Sequence, residues 1–287
     1  MKDLRGANAI ITGASRGLGV VIADALADEG VNLVLAARSA KGLEKVSGDV
    51  SAKGVKVVSV PTDVGERSQL EQLVASAKGE LGPIDILVNN AGIEGYHPYQ
   101  EYPPEEVEQL IQVNLTAPML LTRLVLPEMI ERDRGHIVQI ASMAGKAGFP
   151  TQAPYAATKA ALIMFSHVLR TELVGTNVGC SSVCPGFVAD EGMYADMKSD
   201  TGVEVSRLLG VSKPEKVGQA VVKAIRRNSA ELFVNPTPLR PVIVGSQMFP
   251  DLIPRVQKVF GVTALAKKMI DAYAARDAAS GSTPPQA

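Results

Sequence analysis

The 287-residue sequence contains no tryptophan, and aromatic residues make up only 4% of it. Its core must therefore be aliphatic, which suits a buried parallel sheet rich in Val, Ile and Leu. Neither sign of charge is in excess: 29 Lys and Arg against 30 Asp and Glu leave a net charge of −1. That balance offers no footprint for nucleic acid or an anionic membrane, and no acidic solvating tail. Cysteine is scarce. The two residues, Cys180 and Cys184, sit in a strand-like run in which four residues span about 13 Å. A disulfide tolerates a Cα separation of roughly 7 Å, so both are expected to be reduced and buried, as in a cytoplasmic protein. No His or Cys stands at ligand spacing, so no metal site is expected. Long apolar runs are missing as well. Nothing approaches about 18 consecutive apolar residues, so no spanning helix is expected, and residues 1–7 lack the pattern of a signal peptide.

What is present is a rhythm, in a chain that is 46% hydrophobic. Short apolar runs at 9–12, 32–36, 55–60, 84–89, 136–141, 178–184 and 232–234 alternate with helix-length segments at 17–29, 40–52, 66–80, 104–132, 151–173 and 214–227. Such alternation implies right-handed βαβ crossovers. It predicts an α/β, doubly wound Rossmann fold over residues 1–237, with seven parallel strands flanked by helices. Residues 186–210 interrupt the rhythm on the ligand side of the sheet and are expected to form a movable substrate lid. Residues 238–276 are expected to form a helical C-terminal extension, with helices at 242–262 and 264–275. Residues 277–287 are small, polar and proline-rich, and are expected to be disordered.

The first strand runs into Thr12-Gly13-Ala14-Ser15-Arg16-Gly17-Leu18-Gly19, and a helix pattern follows at once. Glycines at such a junction let backbone N–H groups approach a pyrophosphate, whose charge the helix N-terminus favours. The second strand ends Ala36-Ala37-Arg38, without the acid that would bind the ribose 2′-OH of NAD. Arg38 and Arg16 instead suit a 2′-phosphate, which selects NADP(H). Further along, Tyr155 and Lys159 are four apart on a helix and share a face. An ammonium there is expected to lower the phenol's pKa, so that Tyr155 serves as acid and base. Ser142 ends the fifth strand, where its hydroxyl can hold a substrate oxygen.

The Gly13-x-x-x-Gly17-x-Gly19 spacing resembles that of the short-chain dehydrogenase/reductase family. So does the ordered set of Asn89-Asn90-Ala91-Gly92, Asn114, Ser142, Tyr155 and Lys159, and the resemblance covers residues 5 to about 235. It implies hydride transfer between nicotinamide and a carbonyl or alcohol carbon, with Asn114, Ser142, Tyr155 and Lys159 catalytic. Asn114 would act through a backbone kink and a water relay, and Lys159 would also bind the nicotinamide ribose. Asp63 and the adjacent Val64 match the adenine position. Asn90, Ala91 and Gly92 line the cofactor, and Pro185, Gly186 and Val188 match the step beside the nicotinamide. Asp190 stands where the family often has Thr or Ser. The resemblance further implies a homodimer or homotetramer.

Ala144, Phe149, Met193 and His97 are candidates for the substrate wall. The expected partner is a small-molecule carbonyl or alcohol, and no nucleic acid. The extension could pack on a neighbouring face, mediate assembly or make peripheral membrane contact, as in a membrane-attached lipid or steroid reductase. A competing reading is a non-catalytic NADP(H)-binding sensor that works through a partner protein.

Overall fold

In the computed structural model, residues 1–189, 192–205 and 209–280 are described, with side chains through 273. The elements are β1 (Asn8–Thr12), α1 (Leu18–Asp28), β2 (Asn32–Ala37), α2 (Ala40–Ser51), β3 (Val57–Pro61), α3 (Arg67–Leu81) and β4 (Ile86–Asn89). Next come α4 (Pro104–Ile111), a π-helical turn (Gln112–Thr116), α5 (Ala117–Glu131), β5 (Gly135–Ile140), α6 (Ala144–Ala147), α7 (Ala153–Glu172), β6 (Val178–Pro185) and β7 (Phe187–Val188). The chain closes with α8 (Met193–Thr201), β8 (Val211–Ser212), α9 (Glu215–Arg227), β9 (Glu231–Val234), α10 (Arg240–Met248), α11 (Ile253–Val259) and α12 (Val262–Ser280).

Seven strands form one parallel sheet in the order β3-β2-β1-β4-β5-β6-β9. The order reverses direction at β1, and the crevice beyond the strands' carboxyl ends at such a switch is where doubly wound folds bind ligands. Both faces are buried because side chains alternate along each strand. Ala9, Ile11, Leu33, Leu35, Ile86 and Val88 pack on one side with α1 and α9. Ile10, Val34, Leu87 and Ile137 pack on the other with α3, α5 and α7. Both cysteines are free and buried in β6.

Two expectations are corrected. The segment 186–210 is not irregular throughout: β7 pairs with β8, and α8 lies between them. The stretch 242–262 is two helices, because Pro250 disfavours helical backbone at Phe249, which takes φ −130° and ψ 74°. One continuous helical stretch, Pro104–Glu131, is a weak candidate to cross a membrane by length and composition alone. In this fold it lies against the sheet, burying Leu110, Ala117, Leu121, Val125 and Met129. At the C-terminus, α12 continues to Ser280. Residues 281–287 fall outside the described residues.

His136 illustrates a buried polar group that serves the sheet. Its Nε2 is 2.8 Å from the Ser181 hydroxyl, which donates its own proton to the Ser229 carbonyl. Ser181 therefore accepts from the imidazole, and burial lowers the His136 pKa to about 3. A histidine held neutral when folded binds a proton more readily when unfolded, so its contribution to stability is lost as pH falls from about 6.5 toward 3. Urea unfolding between pH 6.5 and 4 should show stability falling by about 1.4 kcal/mol per unit from this group. The slope should be smaller in His136→Asn.

Candidate active site

A cleft of about 690 Å³ crosses the carboxyl ends of the central strands, from Arg38 and Asp63 past Tyr155 to α10 and α11. Its phosphate end is built by backbone. Gly13 and Gly17 have φ of +67° and +60°, where a side chain is strained. A Cβ at Gly13 would stand 2.9 Å from the Ala91 Cα. Gly19 does not line the cleft; a Cβ there would overlap the Gly13 carbonyl oxygen, so its role is close packing of α1 beneath the loop. The Thr12 hydroxyl accepts from the Asn90 and Ala91 N–H groups at 3.0 Å each. Asn90 Nδ2 donates back to the Thr12 and Gly13 carbonyls. These bonds lock Asn90-Ala91-Gly92 against the glycine loop.

The loop fits a dinucleotide pyrophosphate. Among the described residues no side chain caps the N-terminus of α1, and no acid sits in its first turn, so its leading N–H groups face the cleft with the dipole's positive end. Ser15, Arg16, Leu18, Arg38, Asp63 and Val64 line the same end. Arg16 pairs with Asp196 of α8 at 2.6 Å, both side chains being more than half exposed. Pro185, Gly186 and Val188 line the opposite wall. Asp190 lies outside the described residues.

At the cleft's centre, Ser142, Tyr155 and Lys159 come together. Ser142 Oγ accepts from the Ala144 N–H at 3.1 Å and is hydrogen-bonded to the Tyr155 phenol. Lys159 donates to the Ile140 carbonyl at 3.0 Å, and its Nζ lies 5.6 Å from the Tyr155 ring centre. Asn114 sits in the π-helical turn, fully buried beneath the cleft rather than on its wall. Its side chain accepts from the Ile93 N–H at 2.9 Å and donates to the Ile93 carbonyl and the Thr158 hydroxyl. The turn's extra residue is the kink that aims this side chain across to α7.

The expected lowering of the phenol's pKa is corrected. Burial pushes Tyr155 well up, the Glu94 carboxylate adds to this, and the Ser142 hydrogen bond only partly offsets both. Burial also lowers Lys159 to about 8. Tyr155 therefore holds its proton at neutral pH, the form needed to protonate an alkoxide.

Ala144, Phe149 and Met193 line the cleft. His97 does not. Its Nε2 lies 3.1 Å from Glu106 and its ring stands edge-on to Tyr102, so it braces the loop from outside. Tyr194, another candidate from the sequence, lines the cleft too, whereas sequence reasoning missed several wall residues: Glu94, Gln152 and Phe187, and Leu239, Val242, Ile243, Val256 and Phe260 from the C-terminal helices. The extension is thus part of the cleft. Gln257 ties it down by donating to the Ala147 and Gly148 carbonyls. Among the described residues, no group of three His, Cys, Asp or Glu is placed to hold a metal ion.

Residues 7–201 match the family model for short chain dehydrogenases. The chain is 44% identical to the ketoacyl reductase HetN of Nostoc sp. over 93% of this chain and 94% of that protein. It is 34% identical to the 5-keto-D-gluconate 5-reductase of Escherichia coli K12, over 66% and 74% of the two chains. A crystal structure of a point variant of actinorhodin polyketide ketoreductase with NADPH superposes with a TM-score of 0.75 at 32% identity. That match covers 80% of this chain and 95% of the other. The similarity runs through the glycine loop, the central cleft and the sheet that carries them, and the chain belongs to the short-chain dehydrogenase/reductase family of NAD(P)-dependent oxidoreductases that act on carbonyls and alcohols.

Proposed function

We propose that this protein is an NADP(H)-dependent reductase that converts a ketone bearing an apolar portion to a secondary alcohol. The observation that carries the reading is one continuous cleft joining the glycine loop and Arg16 and Arg38 to Ser142, Tyr155 and Lys159.

When bound, NADP(H) supplies the hydride. The backbone around Gly13, Ser15, Gly17 and Leu18 would hold its pyrophosphate, and Arg16 and Arg38 would take the 2′-phosphate. Asp63 and Val64 would bound the adenine, Asn90 to Gly92 would form one wall, and Pro185, Gly186 and Val188 would form the nicotinamide side. Ser142 donates to the carbonyl oxygen and fixes it beside Tyr155. Tyr155 gives its phenolic proton to that oxygen as negative charge develops there. The phenolate left behind is stabilised by the Lys159 ammonium, whose pKa near 8 lets it carry charge at neutral pH. Asn114 touches no reacting atom and positions the Ile93 backbone and α7.

Phe149, Phe187, Val242, Ile243 and Phe260 make the far wall apolar, which favours a ketoacyl- or polyketide-like ketone over a sugar acid. Exposed Ile111 and Met119, with Met164 and Val168 of α7, support a homo-oligomer built through these helices. The test is oxidation of NADPH and NADH against 3-oxoacyl thioesters, aryl ketones, steroids, quinones and aldehydes. NADPH-preferring turnover of an apolar ketone is expected. Tight NADPH binding without turnover across the panel would overturn the reading in favour of a sensor.

A further inference from the structure

Glu94 is an acid on the chamber wall that the reduction above does not use. The loop carrying it is pinned on both sides. Asn114 grips the N–H and the carbonyl of Ile93 at 2.9 and 2.8 Å. The Tyr102 hydroxyl donates to the Gly95 carbonyl at 2.6 Å. The Glu94 side chain is held as firmly: its carboxylate accepts from Gln152 Nε2 at 3.2 Å and from the Tyr96 hydroxyl. Tyr96 stacks on Tyr273 of α12, with ring centres 5.5 Å apart. The C-terminal extension thus helps to aim the acid.

A carboxylate has about four lone-pair sites, and two neutral donors leave acceptor capacity unspent. Phe149, Phe187 and Ile243, which line the same cleft, offer no proton to fill it. Glu94 is partly exposed to the cleft, so a ligand that displaces solvent from it must supply a donor or leave the acceptor unpaired, and such a site discriminates against ligands that cannot supply one.

We propose that Glu94 is a specificity-determining residue: its carboxylate receives a hydroxyl or N–H of the substrate, so the ketone reduced here carries a hydrogen-bond donor set apart from the reacting carbonyl. The inference rests on the reductase reading. Burial raises the Glu94 pKa to about 7, and the titratable groups acting on it are Tyr96, Asp196 and Lys159, with Tyr155 across the chamber. The carboxylate form, and with it the preference for a donor, gains as pH rises through about 7.

The test compares aryl ketones carrying a hydroxyl two to five bonds from the carbonyl with their methyl ethers and deoxy analogues. Wild type, Glu94→Gln and Glu94→Ala are each measured for kcat and KM, with NADPH affinity by fluorescence as a check that the cleft is intact. Wild type is expected to favour the best hydroxyketone over its methyl ether by about tenfold or more in kcat/KM, the size of a hydrogen bond to a charged group. The ratio should be larger at pH 8 than at pH 6. Glu94→Ala should bring it to near one, through a higher KM for the hydroxyketone, and Glu94→Gln, which keeps one acceptor, should retain part of it. A wild type indifferent to the hydroxyl, or a preference that survives in Glu94→Ala, overturns the assignment while leaving the reductase reading intact. Absence of turnover of every ketone by wild type removes the reductase reading and this inference together.

Discussion

Tyr155→Phe is expected to lower kcat for ketone reduction by roughly two to four orders of magnitude, the contribution of a positioned general acid, while leaving NADPH affinity within a few-fold of wild type. The change removes one oxygen. The ring keeps its place in a cluster with Tyr102 and Leu110, and the lost hydroxyl is bonded to Ser142, which still accepts from the Ala144 N–H. The fold should therefore barely register the substitution, and the melting temperature serves as the control. The chemistry should register it fully. Burial and Glu94 keep the phenol protonated, and Lys159, bound to the Ile140 carbonyl, is not placed to deliver its proton to a substrate oxygen in its stead. Steady-state kinetics at saturating NADPH decide the matter. A variant within tenfold of wild-type kcat would mean that another group, or water, protonates the product, and Tyr155 would lose its assigned role.

How far this site could be read beforehand depended on whether a residue's job is local. The glycine loop and the Tyr155–Lys159 pair are written in short spacings, because a tight strand-to-helix turn and one turn of helix each fix their own geometry. The apolar runs of β1, β2 and β4 announced a sheet covered on both faces for the same reason. His97 failed because its direction is set by Glu106 and Tyr102, which come to it through tertiary packing. The C-terminal helices failed for a similar reason: their apolar pattern showed that one face is covered, but not that Val242, Ile243 and Phe260 cover the substrate cleft. Their break at Pro250 was legible in principle, since proline restricts the residue before it. The phenol's pKa was misjudged because spacing reveals a neighbouring charge and says nothing of desolvation, which dominates here.

The second large effect concerns the choice of dinucleotide. The double substitution Arg16→Ala/Arg38→Ala is expected to reduce the preference for NADPH over NADH in kcat/KM by about a hundredfold or more. Each lost charge-assisted hydrogen bond to a phosphate carries roughly 1.5–3 kcal/mol, and tenfold corresponds to about 1.4 kcal/mol. Both arginines line the adenine-side end of the cleft, and no acid stands at the end of β2 to hold a 2′-OH instead. Arg16 is paired with Asp196, but both partners are largely exposed. A pair of that kind contributes only about 0–1 kcal/mol, so a phosphate dianion can take the guanidinium from it. NADH turnover should change little, because it makes no use of either side chain's charge. Rising salt should weaken NADPH binding in wild type more than in the double variant, since the contact that salt screens has been removed. Two results would sink the argument: a wild type that prefers NADH, or an NADPH preference that survives both substitutions. The second would place the 2′-phosphate on Ser39 or Thr62, which line the same end of the cleft.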